Sequence, residues 1–499
     1  MSALNREIRK IVIVGGGSAG FMAALACKRR FPQLQVEVVH SPDIPVIGVG
    51  ESTTPAIPRF LHEDLRIDRG EFFRAVEPSW KLGLKLEWGP PEVPHFYYPF
   101  DVHLNRHVPG SQHSVGYHML ADPDDASLFT ALMERNKAPC AIRNGQVQFD
   151  QRAAYHIKNE LYISYLQKKS EQAGCSVTAA EVRGVNRDEQ GNIASLRLAD
   201  GRDLAADFFI DSTGYRSLLL GKTLEEKYVS YSQSLFCDTA VVGSWKRSDE
   251  ILPYTTCTTM NHGWCWRIDF HDIVTRGYVH SSAFCTPEEA MREMKEKNPK
   301  LPDDLRALKF PSGRYENFWV KNVAAIGNAA GFVEPTEATA LHAATEQIHF
   351  LLSGLNDGGL RIVPAIRDLE NQRFRRVWDD IRDFLAIHYR FNRKLDTPFW
   401  RHCREAVDIA GAAPIVDYYR QAGPSGLSTA LLDGMSIFNF NGYMSILLGQ
   451  QLPTEAYVPQ TANDKAAWNS IRDLIRAEAI AAPAIREVLM PMIAGGRGS

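Results

Sequence analysis

The sequence predicts an α/β protein with a Rossmann-like N-terminal unit, a second β-sheet region and a mainly helical C-terminal region. Three observations carry this reading. KIVIV at 10–14 is a short β-branched run that leads through GGGSAG into the apolar FMAALA. Between 176 and about 310 strand-like runs dominate, first alternating with the turn signals EQGN and ADGR, then rich in aromatic and β-branched residues. Beyond Thr339, segments such as LHAATEQIHFLLSGL, NQRFRRVWDDIRDFLAIHYRFNRKL and WNSIRDLIRAEAIA place apolar residues at helical spacing.

Each element follows in order. The run at 10–14 is a strand, GGGSAG a tight turn and FMAALA the start of a helix, and VEVVH about twenty residues on closes a β-α-β unit. The stretch 176–216 reads as an antiparallel meander returning to the first sheet, and 230–310 as a second sheet forming a wall. A chain of 499 residues exceeds what one core usually supports, so residues 1–340 are expected to form the core with its second sheet and 341–499 a helical region completing the site. The Arg-rich QRFRR reads as the solvated face of a helix, and the terminal AGGRGS as a flexible tail.

Composition narrows the function. A net charge of −3 supplies no field for gathering nucleic acid or an anionic membrane, which leaves small molecules as partners. The eight cysteines contain no C-x-x-C pair, against both a zinc site and a disulfide framework, so no metal is expected. No apolar run reaches the roughly 20 residues of a membrane helix, and glycines interrupt the apolar N-terminal run, so a cytoplasmic location is expected.

Gly15, Gly17 and Gly20 form G-x-G-x-x-G between a strand and a helix, with Ser18 and Ala19 opening the helix. Backbone N–H groups and the positive helix end there suit a pyrophosphate. His40 stands at the end of the second strand, where a ribose-binding carboxylate is expected. A second turn in WVKNVAAIGNAAGFVEP, where a strand ends at Gly327 and a helix is expected after small residues, together with IDSTGYRS around Asp211 and Gly214, revisits the nucleotide and favours FAD over NAD.

With these motifs in place, the sequence resembles the flavin-dependent tryptophan halogenases over most of its length to about residue 400. GGGSAGFMAA and VIGVGESTTP look like the family's FAD-binding start, with Val49 and Glu51 near the flavin; Asn328 and Leu341 join the cofactor set. SWKLGLKLEWG resembles the segment with the essential lysine, which falls on Lys81 rather than Lys85. GWCWRID is similar to W-x-W-x-I-P, matching Trp264, Trp266 and Ile268 but with Asp269 in place of proline. FVEPTEATAL resembles F-x-x-P-x-x-S-x-G, keeping Phe332 and Pro335 but carrying Ala338 and Ala340 at the Ser and Gly positions. DFLAIHY and DTPFW, around Asp383, His388 and Trp400, look like the family's helical region.

The resemblance implies that FADH2 from a separate NAD(P)H-dependent flavin reductase, oxygen and a halide ion, bromide or chloride, yield hypohalous acid, which then halogenates an electron-rich aromatic ring such as an indole. It assigns Lys81 and Glu337 as catalytic, and the backbone at Thr339 and Ala340 as the halide site. An apolar neighbourhood of Trp80, Leu82 and Leu84 lowers the pKa of a lysine such as Lys81. Glu334 is expected to be structural. Tyr98 and Phe100 in HFYYPFD, with Trp264 and Trp266 alternating onto one face of a strand, are the expected aromatic contacts of substrate or flavin. Residues 436–457 match no clamp for the backbone of a free amino acid, so an indole lacking those charges, or a larger aromatic natural product, is the better expected substrate. Two alternatives stay open: an FAD-dependent aromatic monooxygenase, supported by Asp269, Ala338 and Ala340, and a catalytically silent flavin-binding relative.

Overall fold

The structure, a computed structural model, describes residues 7–43, 50–101, 127–143, 146–455 and 461–495. Its central sheet has six strands in the order Ser176–Ala179, Gln35–His40, Lys10–Val14, Phe208–Asp211, Val323–Ala325 and Trp319–Val320. The first five run parallel and the last antiparallel. Helices cover such a sheet on both faces, which is why KIVIV reads as a continuous apolar run and why Ile11, Val12 and Ile13 are fully buried. The crossover helix Ser18–Arg30 packs against the helices Asn159–Gln172 and Thr339–Asp357. The meander is present as strands Val182–Arg187, Ile193–Leu198 and Asp203–Ala205, after which the chain re-enters the central sheet at Phe208.

The second sheet is larger than the sequence reading placed it. Its seven strands are Arg306–Lys309, Thr239–Lys246, Ile273–His280, Gly263–Asp269, Thr255–Met260, Gly83–Glu87 and Phe96–Pro99. The last two come from the first hundred residues, and Gly83–Glu87 pairs in parallel with Thr255–Met260. Local periodicity marks a strand but not its partner. A three-stranded sheet of Glu51–Ser52, Ala154–Ile157 and Ser79–Lys81 lies in the same part of the chain, with Lys81 opposite Ala154.

A second difference concerns the turn after Val323–Ala325. Gly327–Ala329 is one 3₁₀ turn followed by the short strand Gly331–Phe332, and the helix begins only at Thr339. Gly327 has φ +65°, outside helical space, and Pro335 has no N–H to give a helical ladder. Past Thr339 the chain is helical as expected. Pro364 starts the helix Pro364–Phe391, whose buried face includes Phe374, Val377, Ile381, Phe384 and His388. The helix Asn439–Gly449 packs against the strand Phe96–Pro99. Among the described residues no helix is long and apolar enough to cross a membrane, all eight cysteines are free and buried, and no cluster suits a metal ion.

Candidate active site

Three turns meet at the carboxyl edge of the central sheet. Val14 lies opposite Asp211, and Asp211 opposite Ala325, so GGGSAG, STGYRS and GNAAG leave neighbouring parallel strands side by side. This is where an open parallel sheet binds its ligand. Two of the glycines are required by space. A Cβ on Gly15, which has φ +121°, would lie 2.3 Å from the Ser212 carbonyl oxygen, and one on Gly20 would lie 2.1 Å from the Gly15 carbonyl oxygen. At Gly17 a Cβ would meet nothing within 4 Å, so the approach to the start of the helix at Ser18 and Ala19 is open. No acidic side chain stands in that first turn to oppose an anion.

The other residues that the resemblance assigns to the cofactor are placed as follows. A Cβ on Gly16 would lie 2.7 Å from the His40 ring, which therefore packs against the glycine turn. A Cβ on Gly327 would lie 2.9 Å from that of Ala19, which brings the turn with Asn328 against the helix start. Leu341 is buried in the first turn of Thr339–Asp357. Glu51 accepts a hydrogen bond from Asn159 (3.1 Å), burial raises its carboxyl pKa, and its charge acts on Tyr215 of the STGYRS turn. Asp211 is turned inward, its carboxylate accepting from the N–H groups of Thr213, Leu219 and Leu220 and from the Thr213 hydroxyl. It shapes the turn. The cradle of positive-φ glycine, open helix end and adjoining second turn fits a dinucleotide such as FAD. Val49 lies outside the described residues.

Lys81 and Glu337 are both buried on the aromatic side. The Lys81 ammonium has no hydrogen-bond partner among the described residues, and lies 5.0 Å from the centre of the Phe100 ring. Burial pulls its pKa down to about 8, opposed chiefly by the field of Glu337. Lys85, four residues on, is only half-buried on the strand Gly83–Glu87. Glu337 Oε1 and His388 Nε2 share a hydrogen bond of 2.8 Å. Tyr98, Phe100, Phe384 and Phe438 continue this side: Tyr98 lies 6.4 Å from Phe100 and 6.1 Å from Phe384, which stacks on Phe438 at 3.8 Å. Thr339 and Ala340 open their helix two residues after Glu337, behind Ala338 in a left-handed conformation of φ +56°.

A surface cleft of about 700 Å³ lies elsewhere, lined by Lys28, Arg30, Asp64, Arg66 and His349 at the far end of Ser18–Arg30. It contains none of these residues.

The tryptophan halogenase family model matches residues 10–465. The chain belongs to that family. It is 30% identical to the tryptophan 7-halogenase RebH of Lentzea aerocolonigenes over 512 residues, covering 95% of each chain. Among solved structures, MibH, a lanthipeptide tryptophan 5-halogenase, superposes with a TM-score of 0.89 at 36% identity, covering 98% of this chain and 94% of that one. A flavin-dependent halogenase of Xanthomonas campestris gives 0.89 at 28% identity, covering 98% and 99%.

This halogenase-family chain departs from the family motifs at positions whose surroundings explain one of the changes. Asp269 is fully buried and pairs with Arg247, which is 2% exposed, and with Arg267. Two guanidinium groups therefore take up the carboxylate that stands where proline was expected, and Asp269 belongs to the frame. Nothing in the structure explains why alanine replaces the family residues at 338 and 340. Trp264 donates its indole N–H to Glu334 (3.0 Å) and packs on Trp88 and Trp266. Glu334 also accepts from Tyr389 and Thr336. Trp266 shares the face of Trp264 and lies flat over Gly277, with its N–H unpartnered among the described residues.

Sequence reading left out His388, noted only as part of a helical motif, together with Phe384, Phe438 and Cys257. The spacing of Phe384 and His388, one helical turn apart, was the available signal. Cys257 carried none, because strand pairing alone brings it into the electrostatic reach of Lys81 and Glu337.

Proposed function

We propose that this chain is a flavin-dependent halogenase that uses FADH2, oxygen and a halide to halogenate a small electron-rich aromatic of the indole class. The observation that carries this reading is Lys81: a buried amine without a hydrogen-bond partner among the described residues, facing Phe100 and in the field of the buried Glu337. Reduced FAD, when bound, would pass its electrons to oxygen, and the oxygen so activated would oxidise halide to hypohalous acid. Lys81 then holds the hypohalous acid beside the ring, its pKa of about 8 leaving both ammonium and amine accessible near neutral pH. Glu337 stabilises the cationic ring and takes its proton. Phe100 and Tyr98 stack on the ring, and the helical region from 341 completes the pocket through Phe384 and Phe438.

The cofactor set is Gly15, Gly17, Ser18, Ala19, Gly20, His40, Val49, Glu51, Asn328 and Leu341, and the halide is held by the backbone at Thr339 and Ala340. FADH2 comes from a separate NAD(P)H-dependent reductase. The test is to supply the protein with FAD, a flavin reductase, NADH, bromide or chloride, and indole or tryptophan, and to identify products by mass spectrometry. A halogenated indole supports the reading. A hydroxylated product formed without halide favours the monooxygenase, and coupled NADH consumption with no product favours a silent relative.

A further inference from the structure

His388 is fully buried on Pro364–Phe391, and both its ring nitrogens are engaged. Nδ1 lies 2.8 Å from the carbonyl oxygen of Phe384, one turn earlier. A carbonyl only accepts, so Nδ1 carries a proton. Nε2 lies 2.8 Å from Glu337 Oε1, and a bare imidazole lone pair facing an ionised carboxylate at that distance is repulsive. One proton must therefore sit between them, as imidazolium with carboxylate or as imidazole with carboxylic acid. The edge of Trp88 (6.0 Å, 90°) and the ring of Phe384 (4.9 Å) enclose the imidazole. The charged and titratable groups around the pair are Lys81 and Cys257 beyond Glu337, and Glu334 with its hydrogen-bonded Tyr389.

We propose that His388 is the positioning residue for Glu337: it fixes the carboxylate and keeps one proton on the pair, which sets how strongly Glu337 pulls a proton from the ring. This rests on the halogenase reading. In the substitution, a ring electron pair forms the carbon–halogen bond and reduces the halogen as the halogen–oxygen bond breaks, with that bond's electrons staying on oxygen. The C–H pair then returns to the ring and the proton passes to Glu337. The pair briefly holds two protons, as carboxylic acid beside imidazolium, and the extra one leaves with the hypohalous oxygen as water. The pair ends with the single proton it began with.

The test compares His388→Asn, which keeps the reach to the Phe384 carbonyl but loses Glu337, with His388→Gln, whose amide reaches Glu337 but cannot take up a proton. Each is measured with indole and with indole deuterated at the reacting carbon. His388→Asn should slow halogenation about 10- to 100-fold and bring out a primary isotope effect, because proton loss becomes slow. His388→Gln should recover part of the rate and keep the isotope effect. Combining either with Glu337→Gln should add little to the loss from Glu337→Gln alone, since the two act as a unit. Flavin binding and melting temperature report on the fold, and if His388→Asn fails there the isotope and double-mutant readings are taken on His388→Gln. A wild-type rate, a loss without any isotope effect, or fully additive losses would overturn the proposal. Full halogenation by Glu337→Gln would also overturn it, whereas no halogenated indole from the wild type would instead overturn the halogenase reading.

Discussion

Lys81 and Phe100 meet as a cation over an aromatic face, with the ammonium 5.0 Å from the ring centre. A lysine held this way is desolvated, and the ring that faces it is the one the family resemblance assigns to substrate stacking. Lys81→Met should abolish halogenation while FAD binding persists, whereas Lys85→Ala should keep most activity. Product yields with purified variants decide this, and equal loss from both would point to a folding effect.

The same burial makes stability depend on pH, with a sign fixed by the pKa of about 8 in the folded chain against 10.5 for a free lysine. Below about pH 8 both states hold the proton and the folded state bears the full desolvation cost, roughly 3 kcal/mol. Between 8 and 10.5 only the unfolded chain holds it, so folded stability should climb with pH. Urea unfolding of wild type and Lys81→Met at pH 7 and pH 10 should show the wild type gaining on the variant. A constant difference would contradict the buried charge.

Asp269 offers a test of the frame. Removing its carboxylate leaves Arg247 and Arg267 with the half-exposed Asp249 as their remaining carboxylate partner, so Asp269→Ala should lose about 1.5–3 kcal/mol. Restoring the family's residue with Asp269→Pro should destabilise too, because the same two guanidiniums lose the carboxylate they share and keep only Asp249. Denaturant unfolding of both variants measures the loss, and wild-type stability in Asp269→Pro would show that Asp249 alone satisfies the two arginines.

At the glycine turn, Gly20→Ala would push a methyl to 2.1 Å from the Gly15 carbonyl oxygen. The helix must then move off the strand, and FAD affinity should fall more than about tenfold, since an ångström-scale shift displaces every backbone donor together. Gly17→Ala meets nothing within 4 Å and should fold normally. Flavin titration by fluorescence separates the two, and unchanged affinity in Gly20→Ala would contradict the tight turn.

Substrate preference follows from the aromatic side. Phe384, Phe438, Tyr98 and Phe100 supply rings, and segment 436–457 matches no clamp for an ammonium and a carboxylate. Indole should therefore give more product than free tryptophan, and bromide at least as much as chloride because bromide is easier to oxidise. Parallel assays of the four combinations check this. Clean chlorination of tryptophan with indole inert would show that charged ends are recognised after all.

The local half of this protein was legible in its sequence. KIVIV, GGGSAG, FMAALA and VEVVH specify strand, turn, helix and strand through short-range rules, and three- and four-residue spacing specifies the helices beyond Thr339, because each depends only on neighbours within one or two turns. The ordered motifs also pointed to Lys81 over Lys85 and to Glu337 over Glu334. What only the tertiary structure decided lies between distant segments. Strand pairing recruited Gly83–Glu87 into the wall and set Cys257 near Lys81; the long helix carried His388 to Glu337, 51 residues away in sequence. Arg247 and Arg267 turned Asp269 from an apparent break in a motif into a buried ion pair. Sequence periodicity records which face of an element is apolar, but pairing and burial arise from the free energy of the whole fold, and those determine which carboxylate, amine and imidazole meet.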